Sequence, residues 1–254
     1  MKINKLKMGA LGILAMSSMA PAVQAEEAAS GPFSAGVAVT SDYRFRGISQ
    51  SDRNPALQGW IQYDHASGFF GNVWLSTIDF NDSATYDSGV EADLTAGYNF
   101  KLGENTGATV KAVYYWYADA DTPAGDPDQD YWELIASASH SYGKLGVTAE
   151  LAYSPDFYAE SGDAWALTGG ASYPITDSFL FFTGGVEAGA HVGHQWLDGD
   201  GDYMYYDIGL SASVNQFTLG LSWVDTDISK AHCFGGLDWC EGGVVVTLSA
   251  DLPG

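Results

Sequence analysis

The feature that most restricts this chain is a set of segments in which apolar and polar residues strictly alternate. From Val90 the even positions read Val90, Ala92, Leu94, Ala96, Tyr98 and Phe100, and between them stand Glu91, Asp93, Thr95, Gly97, Asn99 and Lys101. The same rhythm runs through Leu145, Val147, Ala149, Leu151 and Tyr153, and again through Val244, Val246, Leu248, Ala250 and Leu252. Successive side chains of a strand point to opposite faces, so a period of two over about ten residues gives a strand with one apolar face.

Twelve such strands are expected, over 34–46, 56–65, 69–79, 89–101, 107–118, 130–141, 144–154, 163–174, 178–190, 203–214, 216–226 and 243–252. Short turns such as Ser67-Gly68, Tyr142-Gly143, Pro174 to Asp177 and Asn215-Gln216 alternate with longer segments at 47–55, 80–88, 119–129, 155–162, 191–202 and 227–242. Short turns on one rim and long loops on the other are the rhythm of an up-and-down outer-membrane barrel. The fold class is therefore all-β, a transmembrane antiparallel barrel of about twelve strands. An even count returns both chain ends to one rim, the periplasmic one.

Alternation by itself does not separate a barrel that is apolar outside from a soluble barrel or sandwich that is apolar inside. Composition and position favour lipid. The polar face is mostly Gly, Ser and Thr with scattered acids, whereas a wet exterior normally mixes Lys and Arg with them. Aromatics gather at strand ends: Phe33, Tyr63, Phe69, Tyr98, Phe100, Tyr142, Tyr173 and Phe217 near the short turns, and Tyr43, Phe45, Tyr114, Trp116, Trp132, Tyr153, Trp165, Tyr206 and Trp223 toward the long loops. Two aromatic girdles around an aliphatic middle suit the two bilayer interfaces.

The first 25 residues stand apart. Lys2, Lys5 and Lys7 precede an apolar stretch from Met8 to Ala20, and Val23-Gln24-Ala25 offers the small residues of a cleavage site. This reads as a secretory signal peptide, with residues 26–254 as the barrel domain. Removing it leaves seven bases against 32 acids and moves the formal charge from −22 to −25. So acidic a chain lacks the basic footprint of a nucleic-acid binder. Its expected partners are outer-membrane lipid and small hydrophilic solutes. The two cysteines, Cys233 and Cys240, lie close together in an exported chain and read as a disulfide closing a small loop.

The stretch Thr40-Ser41-Asp42-Tyr43-Arg44-Phe45-Arg46-Gly47-Ile48-Ser49-Gln50-Ser51, followed by Pro55-Ala56-Leu57-Gln58-Gly59, resembles the proteobacterial TorF-type porins, a conserved hypothetical family also labelled Gcw. The match is strong over about twenty residues and looser across the rest, in its signal peptide, length and strand rhythm. The resemblance implies an outer-membrane β-barrel, inserted by the outer-membrane assembly machinery. It names no solute.

Function in such a barrel sits on the inward face. Alternation places there Asp42, Arg44 and Arg46 on the first strand and Asp64 on the second, then Glu91 and Asp93, Lys111, Glu133, Glu150, Glu187 and Asp207. Eight acids against three bases suggest a lumen that favours cations. Arg44 and Arg46, two apart, point the same way. They line a constriction opposite an acidic wall, or they pair with Glu91, Asp93 or their neighbours as salt bridges filling a narrow barrel. Inward aromatics are expected at Trp60, Tyr115, Tyr117, Phe179, Phe181 and Tyr205, lining a channel for small solutes or plugging it.

Asp198-Gly199-Asp200-Gly201-Asp202 begins like a calcium loop, but Tyr203 stands where the motif needs Gly and Gly209 where it needs the bidentate Glu. Asp198, Asp200 and Asp202 are thus weak Ca²⁺ candidates beside the plainer reading of a solvated acidic loop, and no cofactor is expected. His191 and His194 fall on opposite faces of a strand and need a bend to share a metal. Seryl and histidyl residues occur without a nucleophile-elbow motif or an assembled nucleophile, base and orienting group. The expected function is a passive porin-like channel, mildly cation-preferring, and not an enzyme. A non-conducting barrel acting through its acidic loops is the alternative, and an outer-membrane hydrolase the third.

Overall fold

The computed structural model describes residues 31–80, 88–118, 127–180, 184–199 and 201–252. The proposed signal peptide lies outside them, as do Phe181 and Asp200. Alternation sets the elements: β1 (Phe33–Thr40), a small hairpin of β2 (Arg44–Phe45) and β3 (Ile48–Ser49), then β4 (Ala56–Asp64), β5 (Phe69–Thr77), β6 (Val90–Lys101), β7 (Thr106–Ala118), β8 (Tyr131–Tyr142), β9 (Leu145–Ser154), β10 (Ala164–Thr176), β11 (Val186–Leu197), β12 (Tyr203–Val214), β13 (Phe217–Thr226) and β14 (Gly243–Leu252).

β1 and β4 to β14 form one closed antiparallel barrel of twelve strands, each bonded to the next in sequence, with β1 closing on β14 through Ala35↔Leu252 to Thr40↔Thr247. β2 and β3 are not in the wall and pair only with each other. Closure leaves no unpaired strand edge, which a chain crossing hydrocarbon requires.

The pleat sorts the side chains as expected. Val39, Leu57, Ile61, Leu94, Leu134, Ile208 and Leu248 stand exposed on the outer surface. So continuous an apolar belt would not be tolerated against water. Ring pairs bound it: Phe33–Tyr63 at 5.0 Å and Phe69–Tyr98 at 4.8 Å by the short turns, and Tyr153–Trp165 at 4.3 Å toward the other rim. The barrel is inside-out, with its greasy face toward lipid.

Two expectations about the wall need correction. The ninth barrel strand, expected over 178–190, is β11 at Val186–Leu197. Phe179 and Leu180 look strand-like but are exposed in the connection 177–185, where Leu180 takes a φ of 54°. His191 to Leu197, expected as loop, is wall, and only 198–202 remains between β11 and β12. Trp196 thereby joins the outer girdle. The second correction concerns the first strand, expected to run to residue 46. It stops at Thr40 and the chain turns into the barrel. Tyr43 and Phe45, expected in the lipid-facing girdle, are inside: Tyr43 is buried against Trp74, with centroids 5.3 Å apart, and Phe45 packs on Tyr115 at 5.8 Å.

Candidate functional site

The segment 41–55 folds into the loop-side half of the lumen. Its tip is the two-residue connection Arg46-Gly47 between paired Phe45 and Ile48. Both have positive φ, 45° and 85°, as a type I′ hairpin turn requires. Gly47 is fixed by space as well as by torsion, because a Cβ there would come 2.5 Å from Thr226 Cγ2 and 3.0 Å from the Asp225 carbonyl oxygen.

The two arginines do not act together. Arg44 Nε donates to Asp42 Oδ2 at 2.6 Å, and Nη1 donates to the carbonyls of Gly47, Trp239 and Glu241 at 2.9, 2.8 and 3.1 Å. Ser49 Oγ donates to the other Asp42 oxygen at 2.6 Å. Burial pulls the Arg44 guanidinium down from its ordinary value, and Asp42 opposes that. Asp42 and Arg44 are thus not wall residues of the first strand, but the internal strut of the hairpin.

Arg46 reaches deeper. Its Nη1 and Nη2 donate to both oxygens of Glu133 on β8, at 2.8 and 2.9 Å, and Nη1 also donates to Gln195 Oε1 on β11 at 2.8 Å. Tyr115 Oη donates to Glu133 Oε2 at 3.0 Å. Arg46 is 6% exposed and Glu133 1%. Burial works against the charge of Arg46, but Glu133 together with Tyr115 and Tyr205 outweighs it and holds the guanidinium well above its ordinary value. One step away, Tyr43 Oη donates to Glu91 Oε1 at 3.3 Å. Burial, then the charge of Glu91, hold the Tyr43 phenol well above its usual value, so it stays a donor.

Packing closes this half of the bore. Tyr43, Trp74, Ile78, Val113, Tyr115, Tyr117, Tyr131 and Ile135 form one buried cluster, with Phe45 and Trp60 against it. Glu91 is 1% exposed. The 227–242 loop covers the hairpin from the rim, with the expected Cys233–Cys240 disulfide formed and Trp239 buried beside it. Trp239 Nε1 donates to Asp52 Oδ1 at 2.7 Å, and Arg53 Nη1 donates to the Asp238 carbonyl at 2.9 Å.

The other half of the lumen is built differently. Gly146, Thr148, Ser172 and Ser249 are small and partly exposed, while Gly97 lies under the Phe70 ring, whose Cζ would stand 2.5 Å from a Cβ there. Glu150, Glu187 and Asp251 face this space, half-buried, and Asp64 stands exposed at the mouth, accepting from Gln62 Nε2 at 2.8 Å. Asp207 is buried and meets His191 Nδ1 at 3.0 Å. Lys111 is buried among the charges of Glu150, Glu133 and Asp93. Gly193 admits the Tyr205 ring, since a Cβ there would fall 2.2 Å from Tyr205 Cζ. The ring therefore lies along the wall, with its hydroxyl 2.6 Å from Thr168 Oγ1.

The structure thus distributes the expected inward residues over three places. Asp42, Arg44 and Arg46 belong to the inserted hairpin, Glu91, Asp93 and Glu133 to the wall around it, and Asp64, Glu150, Glu187 and Asp207 to the wider half, with Lys111 near the boundary. Trp60, Tyr115, Tyr117 and Tyr205 are interior, while Phe179 is not. Asp251 and Gln195 went unnamed as site residues, and the expected Asp207 was not foreseen to pair with His191. Asp251 was legible from the alternation of β14; Gln195 and the pair required the correct placement of β11.

Of the calcium-like segment, Asp200 lies outside the described residues. Asp202 Oδ1 accepts from the Leu197 N–H at 2.9 Å, joining β11 to β12. Among the described residues no group of three or more His, Cys, Asp or Glu side chains is placed to hold a metal ion.

A family model described as a bacterial protein of unknown function (Gcw_chp) matches residues 24–251. No curated protein matches. Among solved structures the chain is similar to the NanC porin, with a TM-score of 0.54 at 9% identity, covering 85% of this chain and 97% of that one. It is also similar to the KdgM porin, with a TM-score of 0.52 at 10% identity, covering 86% and 97%. A second KdgM structure, in complex with disordered oligogalacturonate, gives 0.53 at 8% identity. At these identities the likeness establishes the fold.

Proposed function

The chain belongs to the bacterial Gcw_chp family, and from that premise we propose that it is an outer-membrane, porin-like channel for passive diffusion of small hydrophilic solutes, with a preference for cations. The TorF-type porin resemblance is part of the same reading. The observation that carries it is the inside-out barrel itself: a closed wall with an aliphatic exterior, enclosing a half lumen lined by hydroxyls and carboxylates. A watery axis fenced by carboxylates attracts cations and repels anions. KdgM is seen with an oligogalacturonate, a polyanion. The partly exposed acids here, Asp64, Glu150, Glu187 and Asp251, suit a neutral or cationic solute better.

In the conformation described the hairpin 41–55 closes the loop-side half, so passage requires it to move. The purified, folded protein in planar bilayers is expected to show infrequent openings, with a reversal potential in asymmetric KCl of the sign set by K⁺. Clear anion preference would remove the charge argument. A non-conducting barrel is the second reading, favoured by the near-complete burial of Arg44, Glu91 and Glu133. Silence of a folded variant in which a Gly-Ser linker replaces residues 42–51 would establish it.

A further inference from the structure

Besides the packing of Tyr43 and Phe45 on the wall and the Tyr43–Glu91 hydrogen bond, two sets of arginine-centred contacts hold the inserted hairpin, and they differ in kind. At the rim, Arg44 and Arg53 bind backbone carbonyls of the 227–242 loop, and Asp52 binds the Trp239 indole. These contacts tie one loop to another and would travel with both. Deeper in, Arg46 ties the hairpin to the wall, bridging β8 through Glu133 and β11 through Gln195.

We infer that the Arg46–Glu133 pair is the latch of a gate formed by residues 42–51, and that releasing it uncovers Glu91, Asp93 and Glu133 as the band that sets ion preference in the open state. The inference rests on the channel reading and names residues that carry it out.

The electrostatics follow from who covers whom. With the hairpin in place, Glu133 is matched by a bidentate guanidinium and by the Tyr115 hydroxyl, and one Glu91 oxygen by the Tyr43 hydroxyl. Glu91 Oε2 and Asp93 Oδ1 are buried without a hydrogen-bond donor. Withdrawing the hairpin takes Tyr43 and Arg46 with it. Three inward carboxylates on β6 and β8 then meet water, and Lys111 on β7 is the base beside them. Closed, the band is shielded and the Glu133 charge is matched by Arg46; open, the band loses that match and carries a larger excess of negative charge. Opening and selectivity are two consequences of moving one arginine.

The latch is sensitive to single substitutions because a buried charge stripped of its partner is costly to keep dry. Arg46→Ala leaves Glu133 shielded and unmatched in the closed form, whereas the open form hydrates it. The closed form loses, and the open probability rises by on the order of 100-fold. Glu133→Gln, nearly isosteric, exposes the same imbalance from the other side and serves should Arg46→Ala not fold.

The test is single-channel recording on folded protein, its strand content verified by circular dichroism. The variants are Arg46→Ala, Glu133→Gln, Arg46→Ala/Glu133→Gln, and the barrel with residues 42–51 replaced by a Gly-Ser linker. Both single variants are expected to open far more often than the parent, and the double variant less often than either, because residues acting on each other do not add. Open Arg46→Ala, which keeps Glu133, should be more cation-selective than the double variant. A linker barrel that conducts while both single variants remain as quiet as the parent would overturn the latch and leave the channel reading standing. So would additive effects, or equal reversal potentials for Arg46→Ala and the double variant. A folded linker barrel that passes no ions would instead sink the channel reading.

Discussion

The two halves of this lumen share the same twelve strands and the same inward alternation, yet one is a packed core and the other a vestibule whose small inward residues are partly exposed. On the loop side, large residues such as Trp74, Tyr115, Tyr117, Tyr131 and Ile135 point inward and meet a hairpin that supplies Tyr43 and Phe45. On the turn side the inward positions carry small residues such as Gly146, Thr148, Ser172 and Ser249. A barrel wall therefore does not fix whether its interior is solid or open. Side-chain volume along each strand, together with what a loop inserts, makes that choice.

That contrast predicts unequal responses to substitution. The largest effect is expected at Trp74, 2% exposed in the packed half. Trp74→Ala should cost about 3–5 kcal/mol in denaturant unfolding from detergent or vesicles, the range for deleting a buried aromatic. A cost below about 1 kcal/mol would mean that the loop-side half is not a true core. Next comes Gly47→Val, which combines a strained φ with a clash against Thr226 and the Asp225 carbonyl. The strained torsion alone is worth about 1–3 kcal/mol. Conductance should rise as stability falls, since the tip can no longer seat; lost stability with unchanged conductance would separate hairpin seating from closure.

Smaller still is the loss of the 227–242 lash. Replacing Cys233 and Cys240 together with Ser should destabilise by about 2 kcal/mol, at the low end for a disulfide because the closed loop is short. It should loosen the rim contacts of Arg44 and Arg53 first, seen as faster amide exchange at Trp239 and Gly242. The smallest stability change belongs to the vestibule. Glu187→Gln should stay within about 0.5 kcal/mol, as a substitution outside a packed core, yet lower the cation preference of the open channel. A large unfolding effect with unchanged selectivity would reverse the roles assigned to the two halves.

The wall was legible because strand alternation is a local property. Val90 to Lys101 announces its two faces without reference to any other segment, and the pairing Val90↔Ala118 through Lys101↔Gly107 follows from the short turn that joins β6 to β7. The slip at β11 has an equally local cause. Ser178 to Leu180 is apolar enough to resemble a strand start, while Gly193 and the histidines dilute the pattern where the strand actually lies. Gly193 is small because Tyr205 lies over it, a fact of the neighbouring strand and not of its own.

The hairpin was the harder problem. Tyr43, Arg44, Phe45 and Arg46 continue the period of two, so the sequence extends β1 through them. Their true direction is set by partners far along the chain: the carbonyls of Trp239 and Glu241 for Arg44, Glu133 and Gln195 for Arg46, and Trp74 for Tyr43. The Arg46-Gly47 turn was present in the residues, but its place inside the barrel was not.

Sequence alone determined the closed, inside-out barrel, the disulfide and the acidic character of the interior, because those depend on neighbours one or two residues away and on counts of charge. Tertiary structure decided which acids face water, which are matched by an arginine, and that the bore is shut on one side. A buried ion pair such as Arg46–Glu133 is chosen by distances across the barrel, and no local pattern along a strand encodes what stands on the opposite wall.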